Sequence, residues 1–157
     1  MIILGVDPGI SVTGYAVLDL DIRKTDIKEL GYIKTNKSTS FPLRLKQIYN
    51  RLIEIITERS PQVLVLEDIF YSKNVKTSIK LGHVRGVTLL AAMNSDLETA
   101  EYAAREVKMS VTGNGAASKE QVQRMVQQLI KLDCTDLRSD VTDAVAIALC
   151  HWHRCKR

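Results

Sequence analysis

Two carboxylates stand at the ends of hydrophobic segments that lie far apart in the sequence. Asp7 follows the apolar segment 2–6, and Glu67 follows the apolar segment 63–66. Neither segment alternates with polar residues, which is typical of strands buried on both faces of a sheet. Adjacent parallel strands lie about 4.8 Å apart, and open α/β sheets form their sites at the carboxyl ends of strands. The sequence therefore predicts that Asp7 and Glu67 meet at that edge.

Asp140 and Asp143 form a second acidic pair. They are three residues apart, which places them on one face of a helix whose other side is apolar. Docked on the sheet, this helix would bring one or both carboxylates to the first pair. Carboxylates this close repel each other and tend to take up a proton unless a cation lies among them. Oxygen-only ligands favour Mg²⁺ or Mn²⁺ over zinc, so we expect a divalent-metal site.

Each carboxylate also has an ordinary explanation when it is taken alone. An aspartate before Pro8 and Gly9 suits a turn, and an aspartate in the first turn of a helix suits a cap or a partner of the helix dipole. The metal prediction therefore depends on the acids coming together.

The elements that position these residues are predicted from hydrophobic spacing. Strands are expected at 2–7, 13–19, 27–34, 63–66 and 97–102, and helices at 43–58, 77–94, after Ser118 and at 140–154. Ser118 and Gln121 have the spacing of a capping box. This order predicts an α/β fold with a five-stranded mixed β-sheet flanked by helices on both faces. The length of 157 residues fits one domain over 1–157, with a short basic tail from about 153.

The composition is that of an ordinary globular protein with a slight excess of positive charge. Lys and Arg number 22 against 18 Asp and Glu, giving a net charge of +4, which permits binding to a polyanion without requiring it. No apolar segment reaches the roughly 18 residues of a membrane span, and the start lacks a basic leader. The odd count of three cysteines favours reduced thiols. We expect a cytoplasmic protein that makes no contact with a membrane.

Four residues near the end of the chain, Cys150, His151, His153 and Cys155, raise the question of zinc. Their spacing does not match a zinc finger, and consecutive residues of one helix point in different directions. We expect no zinc site there.

Several short motifs match one known family in order and spacing across nearly the whole chain. They are ILGVDPG (3–9), TGY (13–15), EDIF (67–70), KN (73–74), KLGHVRG (80–86), EYAAR (101–105), VK (107–108) and DVTDAVA (140–146). On these residues the chain resembles the RuvC Holliday-junction resolvases. The resemblance implies a ribonuclease-H-like fold and a homodimer.

The same resemblance implies the chemistry. By motif position, the catalytic and metal-binding acids are Asp7, Glu67, Asp140 and Asp143. Two Mg²⁺ ions, or Mn²⁺ in their place, would support hydrolysis of the phosphodiester bond, with Asp7 bridging the two ions. The substrate would be a four-way DNA junction, cut symmetrically in recombination and repair to leave 5′-phosphate and 3′-hydroxyl ends. A branch-migration complex, RuvA–RuvB, is implied as a partner.

The sequence departs from the family pattern at three places. Asp68 and His83 each stand where glutamine is expected, and segment 113–119 matches the usual glycine-containing loop only loosely. These differences bear on substrate preference rather than on the chemistry.

Several residues are candidates for holding DNA. Lys108 and Lys119 match basic positions that the family uses at the DNA backbone, and Phe70 is placed to stack on an unpaired base. Lys73, Lys80 and Arg85 would extend a basic track, whose affinity for DNA should fall with rising salt. An exposed lysine on a solvated surface, or an ordinary packed aromatic, is the alternative at these positions.

Two glycines lie one helical turn apart in the predicted helix 77–94. Gly82 and Gly86 are unfavourable in a helix, but small residues at this spacing let another helix approach closely. We expect them at a homodimer interface, where a twofold axis would match the near-twofold symmetry of a four-way junction. The alternative is close packing on the chain's own sheet.

Two other functions are weighed against the nuclease. An actin- or hexokinase-like ATPase begins with a similar phosphate loop, here 7–11, but such ATPases need two domains of this kind. A branched-DNA binding module without catalysis would not need acidic residues at all four positions.

Overall fold

The computed structural model describes residues 1–68, 74–131 and 137–156. The strands in these ranges are β1 (Ile2–Asp7), β2 (Val12–Leu20), β3 (Thr25–Lys34), β4 (Val63–Asp68) and β5 (Glu98–Ala103). The helices are α1 (Phe41–Arg59), α2 (Val75–Met93), α3 (Ala104–Thr112), α4 (Lys119–Ile130) and α5 (Ser139–Cys155). Every predicted strand and helix is confirmed, with bounds shifted by at most two residues where both ends were predicted.

The strands form one sheet in the order β3-β2-β1-β4-β5. β1 lies at its centre, antiparallel to β2 and parallel to β4, and β5 is parallel to β4. The predicted five-stranded mixed sheet is therefore confirmed. The two strands that carry Asp7 and Glu67 are immediate neighbours, as their uninterrupted hydrophobic sequences predicted.

Alternating side chains divide the core into two layers. Ile3 of β1 and Val65 of β4 pack with residues of α3, α4 and α5, and we call this side of the sheet the α5 face. Leu4 of β1 and Leu64 of β4 pack with residues of α1 and α2 on the opposite side, the α1 face. Because alternate strand residues point to the same side, these layers decide which face each later residue of β1 and β4 occupies.

Helix α3 is the element that the sequence analysis missed. It has nine residues, and only Val107 and Val111 are buried, so its hydrophobic pattern is too short to stand out. Its start is marked by Glu106, whose side chain accepts a hydrogen bond of 2.9 Å from the backbone N–H of Ala103. The consequence is that Lys108 lies on a helix next to the end of β5.

The capping box predicted at the start of α4 is confirmed. The Ser118 hydroxyl accepts from the backbone N–H of Gln121 at 3.3 Å, and the Gln121 side chain accepts from the N–H of Ser118 at 2.8 Å. This cap fixes Lys119 as the first residue of α4.

None of the helices in the described ranges combines the length and the apolar character that a membrane span requires.

Candidate active site

The register of β1 and β4 places Asp7 beside Glu67. Val6 is paired with Leu66 in the parallel ladder, so the next residue along each strand is one of the two acids. Both acids point to the α5 face, because Ile3 and Val65 on the same strands do so. Asp68 points to the α1 face and is 56% exposed, as expected for a residue outside the site.

Two glycines let α5 lie against the sheet at this point. A Cβ atom at Gly14, which is paired with Asp7, would lie 2.0 Å from the carbonyl oxygen of Asp140. A Cβ atom at Gly5 would lie 2.1 Å from the carbonyl oxygen of Ala144. Side chains larger than hydrogen would push the helix away at both positions. Because Gly5 and Gly14 have no side chains, the first turn of α5, which carries Asp140 and Asp143, can lie against the end of β1.

The electrostatics of Asp7 reflect this crowding. Burial first, and then the neighbouring carboxylates Asp143, Glu67 and Asp140, raise the pKa of Asp7 from 3.8 to about 7. Burial and Asp143 also raise the pKa of Glu67, while Lys108, Lys119 and Arg85 oppose that change. The site thus concentrates negative charge that the protein itself compensates only in part.

Two cations pair with the acids of α5. Lys119 Nζ lies 2.8 Å from Asp143 Oδ2, and an Arg138 guanidinium nitrogen lies 3.3 Å from Asp140 Oδ2. The pairing with Asp143 raises the pKa of Lys119, which keeps this side chain charged. Lys119, predicted as a DNA-backbone contact, therefore lies inside the acidic site rather than beside it.

A cleft of about 290 Å³ opens next to the acids, between α3, α4 and α5. Glu67, Asp143, Lys108 and Lys119 line it together with small apolar side chains. Lys108 and Lys119 thus line the same cleft as two of the acids. A phosphate entering here would meet both lysines beside the carboxylates.

The loop that follows Asp7 is anchored by a buried arginine. Arg44 of α1 donates hydrogen bonds to the carbonyl oxygen of Ile10 at 2.6 Å and to the hydroxyl of Thr35 at 2.9 Å. The Thr13 hydroxyl donates to the carbonyl oxygen of Gly9 at 2.9 Å. These bonds fix the turn after Asp7, and no motif in the sequence analysis pointed to Arg44.

The donor set fits a divalent cation bound by oxygen. Asp7, Glu67, Asp140 and Asp143 supply carboxylate oxygens, the ligand type that suits Mg²⁺ and Mn²⁺. Burial and the three neighbouring carboxylates raise the pKa of Asp7, and a bound cation would favour its charged form. In the part of the chain that the structure describes, no three acidic, His or Cys side chains form a ready-made metal cage. Lys119 and Arg138 hold two of the acids instead.

The raised pKa of Asp7 predicts an effect on stability. Between about pH 4 and pH 7 the folded protein binds more protons at Asp7 than the unfolded chain, so its free energy of unfolding falls as pH rises. In EDTA at about pH 8, Asp7→Asn should therefore be more stable by roughly 1–3 kcal/mol, after allowance for solvent screening. Each kcal/mol raises the melting temperature by about 2–4 °C.

Thermal unfolding of both proteins over a series of pH values checks this prediction. The difference should shrink below about pH 4, where the carboxyl group is protonated in both states. A variant that melts at or below the wild-type temperature at about pH 8 would contradict the electrostatic account of Asp7.

The other predicted DNA contacts are distributed differently. Lys80 lies on α2 and packs over the ring of Phe41, with Nζ 5.6 Å from the ring centroid. Arg85 is 12% exposed, donates to the backbone carbonyl of Glu67 and pairs with Glu101. Arg85 therefore supports the end of β4, and contact of either residue with DNA stays a prediction. Phe70 and Lys73 lie outside the described residues.

The two glycines of α2 face open space. A Cβ atom at Gly82 or Gly86 would meet nothing within 4 Å. Close packing of these glycines on the chain's own sheet, the alternative to a dimer interface, is therefore wrong.

The histidines and cysteines at the end of α5 make other contacts. Cys150 is buried and Cys155 is exposed, and His151 Nδ1 lies 2.9 Å from the hydroxyl of Tyr102. His153 Nδ1 lies 3.0 Å from the hydroxyl of Ser110. His151 Nε2 also lies 3.3 Å from Cys155 Sγ. Among the described residues, no third His, Cys or acidic side chain joins this pair to form a metal-binding group.

Comparison with known proteins agrees with the geometry. A family model described as crossover junction endodeoxyribonuclease RuvC matches residues 3–151. The RuvC protein of Proteus mirabilis is 48% identical over 152 residues, which span 97% of this chain and 87% of that protein. The RuvC protein of Alkaliphilus oremlandii is 42% identical over 153 residues, spanning 98% and 93%.

Solved structures give the same answer for the fold. Thermus thermophilus RuvC in complex with a Holliday junction substrate superposes with a TM-score of 0.94 at 28% identity, covering 99% of this chain and 95% of that one. The yeast mitochondrial Holliday junction resolvase Ydc2, at 14% identity and a TM-score of 0.70, covers 97% of this chain and 77% of that one and shares the fold. The chain belongs to the RuvC family of crossover junction endodeoxyribonucleases.

Proposed function

We propose that this protein resolves four-way DNA junctions by metal-dependent hydrolysis of phosphodiester bonds. One observation carries the proposal. Asp7 and Glu67 lie side by side at one edge of the sheet, and the acidic first turn of α5 lies against the same edge. Family membership supports the DNA-cutting activity, because the matching family and relatives are described as crossover junction endodeoxyribonucleases.

The proposed mechanism assigns roles to the residues at this edge. The carboxylates of Glu67, Asp140 and Asp143 all raise the pKa of Asp7, so they lie close to it. Asp7 would be shared by two cations, Glu67 and Asp143 would each hold one, and Asp140 would complete the set. Bound Mg²⁺ or Mn²⁺ would activate water and stabilise charge on the phosphate oxygens. Lys119 and Lys108 would hold the phosphate in the cleft that they share with Glu67.

Cutting of a synthetic four-way junction tests the proposal. With Mg²⁺ we expect cuts in opposite strands that leave 5′-phosphate and 3′-hydroxyl ends, while a plain duplex of the same sequence stays intact. Addition of EDTA should stop cutting, and Mn²⁺ should restore it. Binding of the junction without cutting under any divalent ion would favour the alternative of a non-catalytic binding module. The alternative function as an actin- or hexokinase-like ATPase is not supported, because the chain belongs to a family of endodeoxyribonucleases.

We also propose a homodimer formed through α2. Its exposed residues include an apolar stripe at helical spacing, which consists of Val75, Ile79, Gly82, Gly86, Leu90 and Met93. The large members of the stripe are at least half exposed, and an isolated chain would leave them in water. A second copy of α2 lying across the two glycines would cover the stripe and set two active sites on one junction.

A charge on the stripe should separate the dimer. Gly86→Glu places a carboxylate where a Cβ meets no atom within 4 Å, and it improves helix propensity, so the single chain should fold at least as well as the wild type. We expect a monomeric mass by light scattering and junctions nicked in one strand instead of paired cuts.

The matched control is Met109→Glu on α3, which adds the same charge at a methionine that is 49% exposed. This variant should stay dimeric. A dimeric Gly86→Glu protein would contradict the proposed interface.

The cell compartment and the motor partner are also part of the proposal. DNA as substrate and an odd number of cysteines favour a cytoplasmic enzyme. A partnership with the RuvA–RuvB branch-migration complex is supported by family membership alone.

A further inference from the structure

We propose that Tyr32 and Arg138 form a second contact for the cut DNA strand, on the side of the acidic site opposite Lys108 and Lys119. We call this pair the Tyr–Arg platform. The inference rests on the junction cutting proposed above and adds a binding surface that the family motifs do not include.

The register of the sheet places Tyr32 in line with the acids. Asp7 of β1 is paired with Gly14 of β2, and Gly14 is paired with Tyr32 of β3. Directly paired residues point to the same face, so Tyr32 shares the α5 face with Asp7. Two strand spacings separate them, or roughly 10 Å. Because Gly14 has no side chain, the backbone and Cβ of Asp140 lie directly over it, between Asp7 and Tyr32.

Arg138 connects the tyrosine to the acids. Its guanidinium carbon lies 4.7 Å from the centroid of the Tyr32 ring, and one of its nitrogens lies 3.3 Å from Asp140 Oδ2. The Arg138 side chain is 49% exposed, and Tyr32 is 48% exposed. Stacking on the ring holds the guanidinium at the edge of the site, while its exposed half is open to a phosphate.

The distribution of charge favours a nucleic-acid strand as the occupant. Lys119 pairs with Asp143 in the cleft that Glu67 of β4 lines. Arg138 pairs with Asp140 and packs on Tyr32 of β3, which lies on the other side of β1. A strand whose scissile phosphate lies over the acids extends in both directions, and its neighbouring phosphates need cations to offset the repulsion of the carboxylates. Lys108 and Lys119 serve one direction. Arg138 serves the other, with the Tyr32 ring available to a base or sugar.

A simpler account is that Arg138 only balances the charge of Asp140. The two accounts predict different junction binding when metal is removed. In EDTA the acids hold no cation, so junction binding reports phosphate contacts and not metal coordination. Arg23 provides the matched control, since it is an exposed arginine in the turn between β2 and β3, at the far end of the sheet from Asp7.

Fluorescence anisotropy with a labelled four-way junction in EDTA, over a series of salt concentrations, tests the platform. Arg138→Ala loses one phosphate contact and should bind the junction more weakly. A plot of the logarithm of its association constant against the logarithm of salt concentration should be less steep by about 0.7–0.9. Arg138→Lys should restore the slope. Arg23→Ala should keep the wild-type slope. Tyr32→Leu should keep the slope but weaken binding by about five-fold or more, and Tyr32→Phe should bind like the wild type.

The outcomes separate the platform from the proposed function. An Arg138→Ala slope equal to those of the wild type and Arg23→Ala would overturn the platform while junction cutting by the wild type still stands. Unchanged affinity of Tyr32→Leu would remove the tyrosine from it. A wild-type protein that neither binds nor cuts the junction would overturn the proposed function, and the platform with it.

Discussion

Replacement of Asp7 by asparagine is expected to abolish junction cutting and to leave junction binding in place. The carboxylates of Glu67, Asp140 and Asp143 all raise the pKa of Asp7, and Asp7 is the residue that we propose to be shared by the cations. Loss of a group that acts as part of a catalytic unit lowers kcat by roughly 10³-fold or more. Lys108 and Lys119, the proposed contacts to the DNA backbone, are unchanged in this variant, and it carries one negative charge fewer near the phosphate. Gel shift and nicking assays on one preparation of Asp7→Asn measure both effects.

A second carboxylate provides the control for this substitution. Asp21→Asn makes the same chemical change in the exposed turn at the other end of the sheet, and it should cut junctions at the wild-type rate. Measurement of the thermal unfolding of Asp7→Asn, as described for the stability prediction, tests whether misfolding causes any loss of activity. Substantial cutting by Asp7→Asn would remove Asp7 from the mechanism.

The sheet and its two strand-end acids were predictable because burial on both faces leaves a simple pattern. The segments before Asp7 and Glu67 are uninterrupted apolar sequences, and a strand of that kind belongs at the centre of an α/β sheet. Centre strands that are parallel align their carboxyl ends, so the proximity of the two acids followed from local sequence alone. The register of β1 and β4 confirms that step.

Other parts of the site depend on contacts between distant residues, which local sequence does not reveal. Nothing near Lys119 indicates that its ammonium group pairs with Asp143, because the pair forms only when α4 packs beside α5. Arg85 has the sequence surroundings of an exposed basic residue, yet it is held by the end of β4 and by Glu101. The placement of Tyr32 follows from a register across three strands.

Gly14 carries the second large effect, since it sets the distance between α5 and the sheet. In Gly14→Ala the new methyl group would lie 2.0 Å from the carbonyl oxygen of Asp140, a backbone atom that cannot rotate away. The first turn of α5 must therefore move outward and carry Asp140 and Asp143 away from Asp7. A displacement of about 1 Å in a catalytic site costs on the order of 100-fold in rate, and we expect a loss of that size in junction cutting.

A matched glycine on the next strand separates displacement of α5 from general strain in the sheet. In Gly31→Ala the methyl group meets the end of the Tyr15 side chain at 2.5 Å on the α1 face, away from the acids. Both variants should lose stability, but only Gly14→Ala should require more Mg²⁺ for half-maximal cutting, because only there do the carboxylates separate. Measurement of cutting against Mg²⁺ concentration, at a temperature where both variants are folded, distinguishes them. Equal rates and equal Mg²⁺ requirements for a folded Gly14→Ala and the wild type would show that the close approach of α5 at Gly14 does not position the catalytic acids.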